Sequence, residues 1–436
     1  MPILRALLGL AFFCGVAWLL STDKKRINVR VVAGGILLQF GLALIILKTD
    51  WGAWVLNKLS TLATTILGFG EEGARMVFGP LLTGWNVVPV GPDANQPISF
   101  FTAEPAQIPE GLAAYAAPVS FAFGALTTII YFSALMAILY HLGIVQFLVK
   151  ILASTMRWTL KVSGAESLAM AANVFVGQTE APLVVRPYIP TMTKSELMAL
   201  MTGGFATIAG SVLAVYIGIL GEEFAGHLLA ASFMSAPAAF VMAKIMVPET
   251  ETPVTADGAE IIEDEKDKPS NLLDAAAAGT SDGLHLYLNV VAMLIAFVAL
   301  VGLINAGLGL IVIGGDPMSL QGIFGYVFAP VAYMMGVEWA DCTSFGSLLG
   351  TKIAVNEFIA FSEMEAMRDT ISTRSFTMAA YALCGFANFA SVGIQIGGIS
   401  SLAPGRRADL SKLALKAMLG GAFASWMTAT IAGAFL

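Results

Sequence analysis

Residues 173–182 read Asn173-Val-Phe-Val-Gly-Gln-Thr-Glu-Ala-Pro182, and residues 350–360 read Gly350-Thr-Lys-Ile-Ala-Val-Asn-Glu-Phe-Ile-Ala360. Each stretch places one glutamate, Glu180 or Glu357, inside a mostly apolar run of a chain that is 57% hydrophobic. A carboxylate at membrane depth costs about 2.5 kcal/mol or more on insertion scales, so it is rarely there by accident. Each glutamate is followed by nearly the same hexad: Gly204-Phe-Ala-Thr-Ile-Ala209 after the first, Gly385-Phe-Ala-Asn-Phe-Ala390 after the second. A carboxylate in a short broken apolar segment, repeated once per half, is the pattern of a secondary transporter built from two repeats.

Composition agrees. The chain has 436 residues, of which only 12% are charged, and its mean hydropathy is +0.79. Soluble domains average about 25% charged residues, so this is an integral membrane protein. Its 44 glycines suit close helix packing in lipid. The net charge of −7 says little, because loop asymmetry matters more than the sum. No nucleic-acid partner is expected. Cys14, Cys342 and Cys384 lie in or near apolar segments without disulfide or zinc spacing, and read as small buried residues. His141, His227 and His285 are scattered and read as interfacial or packing residues.

Hydropathy and Lys/Arg placement predict the order of segments. Span 1 covers about 3–21, a retained helix with its N-terminus outside, because the heavier charge of Lys24-Lys25-Arg26 follows the run. Span 2 covers 31–48. Residues 51–82 mix Trp51, Trp54, Lys58 and Glu71 with apolar residues, as an amphipathic surface helix does. No Lys or Arg occurs from Met76 to Val149, so the polar stretch 84–113 is external. Span 3 is expected at 117–141, and an internal surface helix at 143–162. Residues 165–190 are cut by Gly177 and Pro182, and each flank is too short to cross about 30 Å of hydrocarbon. A re-entrant helical hairpin fits. Thr193-Lys-Ser-Glu196 is a capping box that opens span 4, 194–220. Span 5 covers 227–246, and 248–270 form an acidic, flexible cytoplasmic linker. Then follow span 6 at 284–313, an external surface helix at 314–341, a second broken segment at 342–366, span 7 at 375–401 and span 8 at 412–436. The expected organisation is 1–82, two spans and an interfacial helix; 83–116, an external loop; 117–247, the first repeat; 248–270, the linker; and 271–436, the second repeat. The fold class is an all-α polytopic membrane protein of eight transmembrane helices and two hairpins. Three crossings per half require the second half to be inverted. Lys352 and Arg186 read as flanking charges that pair with acids or snorkel.

The polar groups near the breaks are Asn173, Gln178, Thr179, Glu180, Thr207, Asn356, Glu357, Asn388 and Ser391. They are hydroxyls, amides and carboxylates without an arginine fork, a poor set for a phosphate or carboxylate substrate. They suit a neutral polyhydroxylated solute or a cation, and Phe205 and Phe386 offer flat faces, as for a sugar carrying a planar base. Asn173 and Thr207, with carbonyls freed near Val176, would make an oxygen cage for Na⁺. Gly279-Thr-Ser-Asp-Gly283 matches a nucleophile-elbow pattern but follows an Ala run rather than a strand, and is read as coincidence.

At Gly177-Gln-Thr-Glu-Ala-Pro182, at Gly350-Thr-Lys352 with Val355-Asn-Glu-Phe358, and at Gly385-Phe-Ala-Asn-Phe389 with Ser391, the chain resembles the concentrative nucleoside transporter family. The likeness runs over nearly the whole chain. It implies a homotrimer in the lipid bilayer of a bacterial inner membrane, with eight spans and two hairpins per protomer. It implies that Gln178, Thr179, Glu180 and Val212 face the nucleobase, that Glu357, Asn388 and Ser391 hold the ribose, and that Phe386 packs against the nucleoside. By the same resemblance Na⁺ is held by Asn173, the Val176 and Ile208 carbonyls and the Thr207 hydroxyl. Serine is common in the family at the position of Thr207. The expected activity is Na⁺-coupled nucleoside symport with the hairpins moving as an elevator. Proton coupling through Glu180 or Glu357 is the nearest alternative. A membrane enzyme would need a nucleophile–base pair at depth, and no histidine lies in either broken segment. A channel would need a filter sequence, which is not seen.

Overall fold

The structure is a computed structural model, and it describes residues 2–78, 86–87, 115–116, 122–123, 125–256, 258–259, 269–313 and 316–436. The expected external loop 84–113, the start of span 3 and most of the acidic stretch of the linker lie outside the described residues. The described part is almost wholly helical. Two small antiparallel pairings of two residues per strand, Asn86–Val87 with Tyr115–Ala116 and Val312–Ile313 with Asp316–Pro317, are its only strands.

The first helices are α1 (Pro2–Leu19), α2 (Val29–Lys48) and α3 (Asp50–Phe78). Asn28 caps α2 through its side chain, as a short polar residue before an apolar run does. α4 (Thr128–His141) and α5 (Ile144–Leu160) follow, bent by 75° at their junction. α11 (Leu272–Leu308) is the longest helix, at 37 residues. It packs on α4 through Gly279 and Gly283. A side chain on Gly279 would sit 2.6 Å from the Ser133 carbonyl oxygen, and one on Gly283 would sit 2.8 Å from Ile130 Cα. The Gly279–Gly283 pattern is therefore a close-approach surface in mid-helix, where small residues four apart let backbones meet.

The two glutamate segments each fold as two helical limbs around a break. In the first, α6 (Gly164–Phe175) ends at the break, and α7 (Ala181–Val184) is a single turn that continues through turns to residue 192. In the second, α13 (Cys342–Ala354) and α14 (Glu357–Ala366) flank Val355 and Asn356. α12 (Leu320–Met335) lies against α13, and a side chain on Gly346 would strike the Gly325 carbonyl at 2.7 Å.

Expected spans 4 and 7 are not continuous. The first is α8 (Lys194–Ala206) and α9 (Gly210–Leu220), separated by extended backbone at Thr207. The second is α15 (Thr373–Leu383) and α16 (Phe389–Leu402), separated by residues 384–388 with Gly385 at φ +124°. α10 (Ala225–Met246) and α17 (Arg407–Phe435) are continuous and largely buried among these pieces. Among the described residues four helical segments are long and apolar enough to cross a membrane alone: Val29–Lys48, Glu222–Met246, Leu272–Leu308 and Pro404–Phe435.

Contacts sort the loops into two ends. At one end Arg26 donates to the Thr250 carbonyl at 3.3 Å, and Arg406 donates to the Met192 carbonyl at 2.6 Å. The base of α6 and the start of α8 meet there. Both helices begin with a capping box, Ser163 with Glu166 and Thr193 with Glu196. Lys244 bridges them, 2.6 Å from the Glu166 carboxylate and 2.9 Å from Ser195 Oγ. The beginning of the linker is not free, contrary to expectation. The Thr255 carbonyl accepts from Gly164 N at 2.8 Å, and Thr255 Oγ1 accepts from Ala165 N at 3.1 Å. At the other end Arg368, just past α14, pairs with Glu223 at 3.1 Å and with Glu365 at 2.8 Å, and also donates to the Leu220 carbonyl.

Candidate functional site

Each break is built from local sequence. α6 stops at Val176, which is extended (φ −109°, ψ 168°), with glycine next and a proline at the start of α7. Asn356 caps α14 by accepting from Ile359 N at 2.9 Å, which sets Glu357 in the first helical turn. A carboxylate there faces the positive end of the helix dipole. Asn388 caps α16 the same way, accepting from Ser391 N at 2.8 Å.

Tertiary packing then brings the breaks together. The break in the first glutamate segment abuts that between α8 and α9: a side chain on Gly210 would sit 3.2 Å from the Phe175 carbonyl, and one on Gly177 would sit 3.2 Å from Ala209 Cβ. The break at 384–388 abuts the end of α8, where a side chain on Gly385 would lie 2.7 Å from the Phe205 carbonyl. The two hexads therefore touch, although they do not fold alike: Gly204 lies inside α8 and Gly385 lies in a break.

Two polar clusters result. Glu357 accepts from Tyr216 OH at 2.9 Å on one carboxylate oxygen and from Asn388 Nδ2 at 2.8 Å on the other. All three residues are buried. A carboxylate has about four acceptor sites, so two donors leave capacity for a ligand's hydroxyls. In the second cluster Gln178 donates to Ser391 Oγ at 3.2 Å, and its carbonyl accepts from Gln395 Nε2 at 3.1 Å. Thr179 lies beside Gly398, where an added side chain would come within 3.8 Å of its methyl. Thr179 and Glu180 are exposed, Gln178 and Phe386 are half-buried, and Val212 is buried one helical turn before Tyr216.

The four residues expected at the cation are also adjacent. Asn173 is 1% exposed and donates to the Ala169 carbonyl at 3.0 Å, while its own Oδ1 is buried with no hydrogen-bond partner. Thr207 spends its hydroxyl proton on the Gly203 carbonyl at 2.9 Å, which turns its oxygen lone pairs outward. Val176 and Ile208 lie in the two abutting breaks. A buried orphan carbonyl oxygen is costly, and a cation is one way to satisfy it, so the donor set fits Na⁺.

Three expectations need correcting. Phe205 offers no face to the site: it is fully buried, and a side chain on Gly421 would collide with it. Lys352 does not snorkel, and among the described residues it forms no ion pair. It is 0% exposed and donates to the Ala382 carbonyl and to Ser425 Oγ, each at 2.8 Å. The continuity expected of spans 4 and 7 fails at the site itself. Tyr216 and Gln395 are missed by the sequence reading. Gln395 carries the signal that picked out the glutamates, an amide within the apolar run 389–402 and one turn after Ser391. Tyr216 carries none, because a tyrosine in an apolar helix is ordinary core.

Comparison with known proteins bears on the whole chain. Residues 227–433 match the family model described as Na⁺ dependent nucleoside transporter C-terminus, and 8–81 match the corresponding N-terminus model. Residues 122–223 match a model described as nucleoside recognition. An uncharacterized transporter of Haemophilus influenzae is 41% identical, over 100% of this chain and 98% of its own. Sodium/nucleoside cotransporter 1 of Rattus norvegicus is 36% identical over 98% of this chain and 62% of its own. Among solved structures, CNTnw in an inward-facing substrate-bound state superimposes with a TM-score of 0.86 at 39% identity, covering 100% of this chain and 99% of that one. A variant of CNTnw in an outward-facing state gives 0.87 at 38% identity, covering 100% and 98%.

Proposed function

The chain belongs to the concentrative nucleoside transporter family, and from that premise we propose that it imports nucleosides together with Na⁺. The observation that carries this reading is the pair of polar clusters at the facing breaks, beside the orphan Oδ1 of Asn173. Gln178, Thr179 and Glu180, with Val212 beneath them, serve the base edge through amide, hydroxyl and carboxylate groups. Glu357, Asn388 and Ser391 serve the ribose hydroxyls, and Phe386 packs on the sugar or base. Asn173, Thr207 and the carbonyls of Val176 and Ile208 hold Na⁺. One Na⁺ moving in at 100 mV contributes about 2.3 kcal/mol before any concentration gradient is counted.

In this reading the two broken segments are re-entrant hairpins entering from opposite faces, and the halves are inverted repeats within eight crossings. The opposed ends joined by Arg406 and Arg368 favour it. The hairpins and their partner helices move as an elevator against α4 and α11. The relatives' inward-facing and outward-facing states accord with such motion. α11 turns large apolar side chains outward, Ile295 at 69% and Leu303 at 70% exposed, a surface suited to lipid and to neighbouring protomers of a trimer. The protein sits in the bacterial inner membrane.

The test is uptake of labelled uridine into proteoliposomes with and without an inward Na⁺ gradient. The gradient should accelerate uptake and drive accumulation. Uptake that follows a proton gradient and ignores Na⁺ would replace the coupling ion, and no nucleoside uptake under either gradient would end the proposal.

A further inference from the structure

The first limbs of the two hairpins end alike. α6 runs to Phe175 and is capped by Val176, whose N–H bonds the Ala172 carbonyl at 2.9 Å. α13 runs to Ala354 and is capped by Val355, whose N–H bonds the Thr351 carbonyl at 2.9 Å. Three residues before the cap stands Asn173 in the first case and Lys352 in the second. Each end lies against the end of a broken helix. A side chain on Gly203 of α8 would sit 3.1 Å from Asn173 Nδ2, and Lys352 Nζ lies 2.8 Å from the Ala382 carbonyl of α15.

The chemistry of the two positions is complementary. Around Asn173 are oxygens suited to a cation. Around Lys352 are oxygens that have one. Its ammonium meets the Ala382 carbonyl, near the negative end of the α15 dipole, and Ser425 Oγ. Ser425 donates its own proton to the Ala422 carbonyl at 3.0 Å, so it offers Lys352 a lone pair, as Thr207 does after bonding Gly203. Among the described residues no carboxylate lies within ion-pair distance of Lys352. A fully buried ammonium whose hydrogen-bond partners are neutral oxygens carries a desolvation cost that the more distant Glu357 charge offsets only in part.

We propose that the Lys352 ammonium is a tethered cation at the second repeat's counterpart of the Na⁺ cage. It rests on the Na⁺ reading given above. The ion clamps the first hairpin to α8 only when it is bound. Lys352 clamps the second hairpin to α15 and α17 permanently. The asymmetry leaves one site to be filled from solution, and one Na⁺ suffices per cycle.

The test compares Lys352→Ala, which leaves a space, with Lys352→Met, which fills it without charge. Uptake of labelled uridine and its Na⁺ dependence are measured with and without ethylammonium, alongside the unmutated protein. Both variants should transport about tenfold to a hundredfold more slowly, the effect of leaving buried acceptors unpaired. Ethylammonium should restore Lys352→Ala and leave Lys352→Met unimproved. Without the amine, the Na⁺ activation curve of Lys352→Ala should steepen, its Hill slope rising from about one towards two as a second ion enters. If Lys352→Ala is monodisperse on size exclusion only when the amine is present, the proposal is supported. Normal transport by Lys352→Met overturns it, and so does a Lys352→Ala variant that neither the amine nor high Na⁺ restores, folded or not. Loss of Na⁺ dependence in the unmutated protein would instead strike the Na⁺ reading and leaves the amine result to be judged alone.

Discussion

Glu357 is held in place by the protein's own donors. Its two oxygens accept from Tyr216 and Asn388, and its backbone opens α14 behind the Asn356 cap. Charge-assisted hydrogen bonds from ribose hydroxyls to such a carboxylate are worth about 1.5–3 kcal/mol each. Glu357→Gln keeps the shape and puts an NH₂ donor where an acceptor is needed. Nucleoside binding should weaken by about tenfold to a hundredfold. A 2′,3′-dideoxynucleoside should bind the unmutated protein weakly and lose little more in the variant. Calorimetric titration of the four combinations gives the coupling. Equal losses for both ligands would remove Glu357 from the ribose subsite. Asn173 supports a second prediction at this scale. Asn173→Leu and Thr207→Val each delete one oxygen from the proposed cage, and the Na⁺ concentration for half-maximal uptake should rise by about tenfold, as for a lost buried polar partner. An unchanged Na⁺ curve in both would place the ion elsewhere.

Among the elements, the broken helices do what continuous spans cannot. Asn388 is an N-cap only because α15 stops at Leu383, and Thr207 presents its oxygen only because α8 stops at Ala206. Gly385 makes the crossing possible. Its φ of +124° disfavours any side chain, and a Cβ would lie 2.7 Å from the Phe205 carbonyl and 2.9 Å from the Ala206 carbonyl. Gly385→Ala should therefore lower the melting temperature of the purified protein and weaken nucleoside binding, by an amount of order 1–3 kcal/mol for a forced backbone. Gly393→Ala, on α16 with nothing within 4 Å, is the control and should leave both unchanged. If Gly385→Ala melts like the control, the contact between the two hexads is looser than the distances require.

For the whole molecule, the two ends defined by Arg406 with Met192 and by Arg368 with Glu223 lead to a topological prediction. In a background lacking Cys14, Cys342 and Cys384, an impermeant thiol reagent added outside intact cells should label Glu222→Cys and miss Glu251→Cys. Both positions are exposed. Labelling of the second from outside would place the linker on the wrong face and break the inverted-repeat reading. The scaffold follows from the same arrangement. α11 meets α4 through Gly279 and Gly283 and exposes a row of large apolar side chains further on, Ile295, Val298, Leu300 and Leu303 among them. In the proposed elevator this helix pair is the fixed part and the buried set is the part that moves.

The membrane class, the two glutamate segments and their paired hexads were legible in the chain, because a charge inside an apolar run and a glycine or proline break are local signals. So was the capping box at Thr193 and Glu196, which depends on residues three apart. The breaks at 207–209 and 384–388 were hidden, since neither contains proline, Gly385 is one of 44 glycines, and apolar residues run through both. They arise where one backbone passes another, at Gly210 beside Phe175 and at Gly385 beside Phe205. Phe205 and Lys352 were misplaced for the same reason: whether an aromatic faces a ligand, or an ammonium reaches water, depends on which helix covers it. Composition could say that Tyr216 and Glu357 are both present, 141 residues apart. Only the folded chain, in which α9 packs against α14, could put one hydroxyl 2.9 Å from one carboxylate.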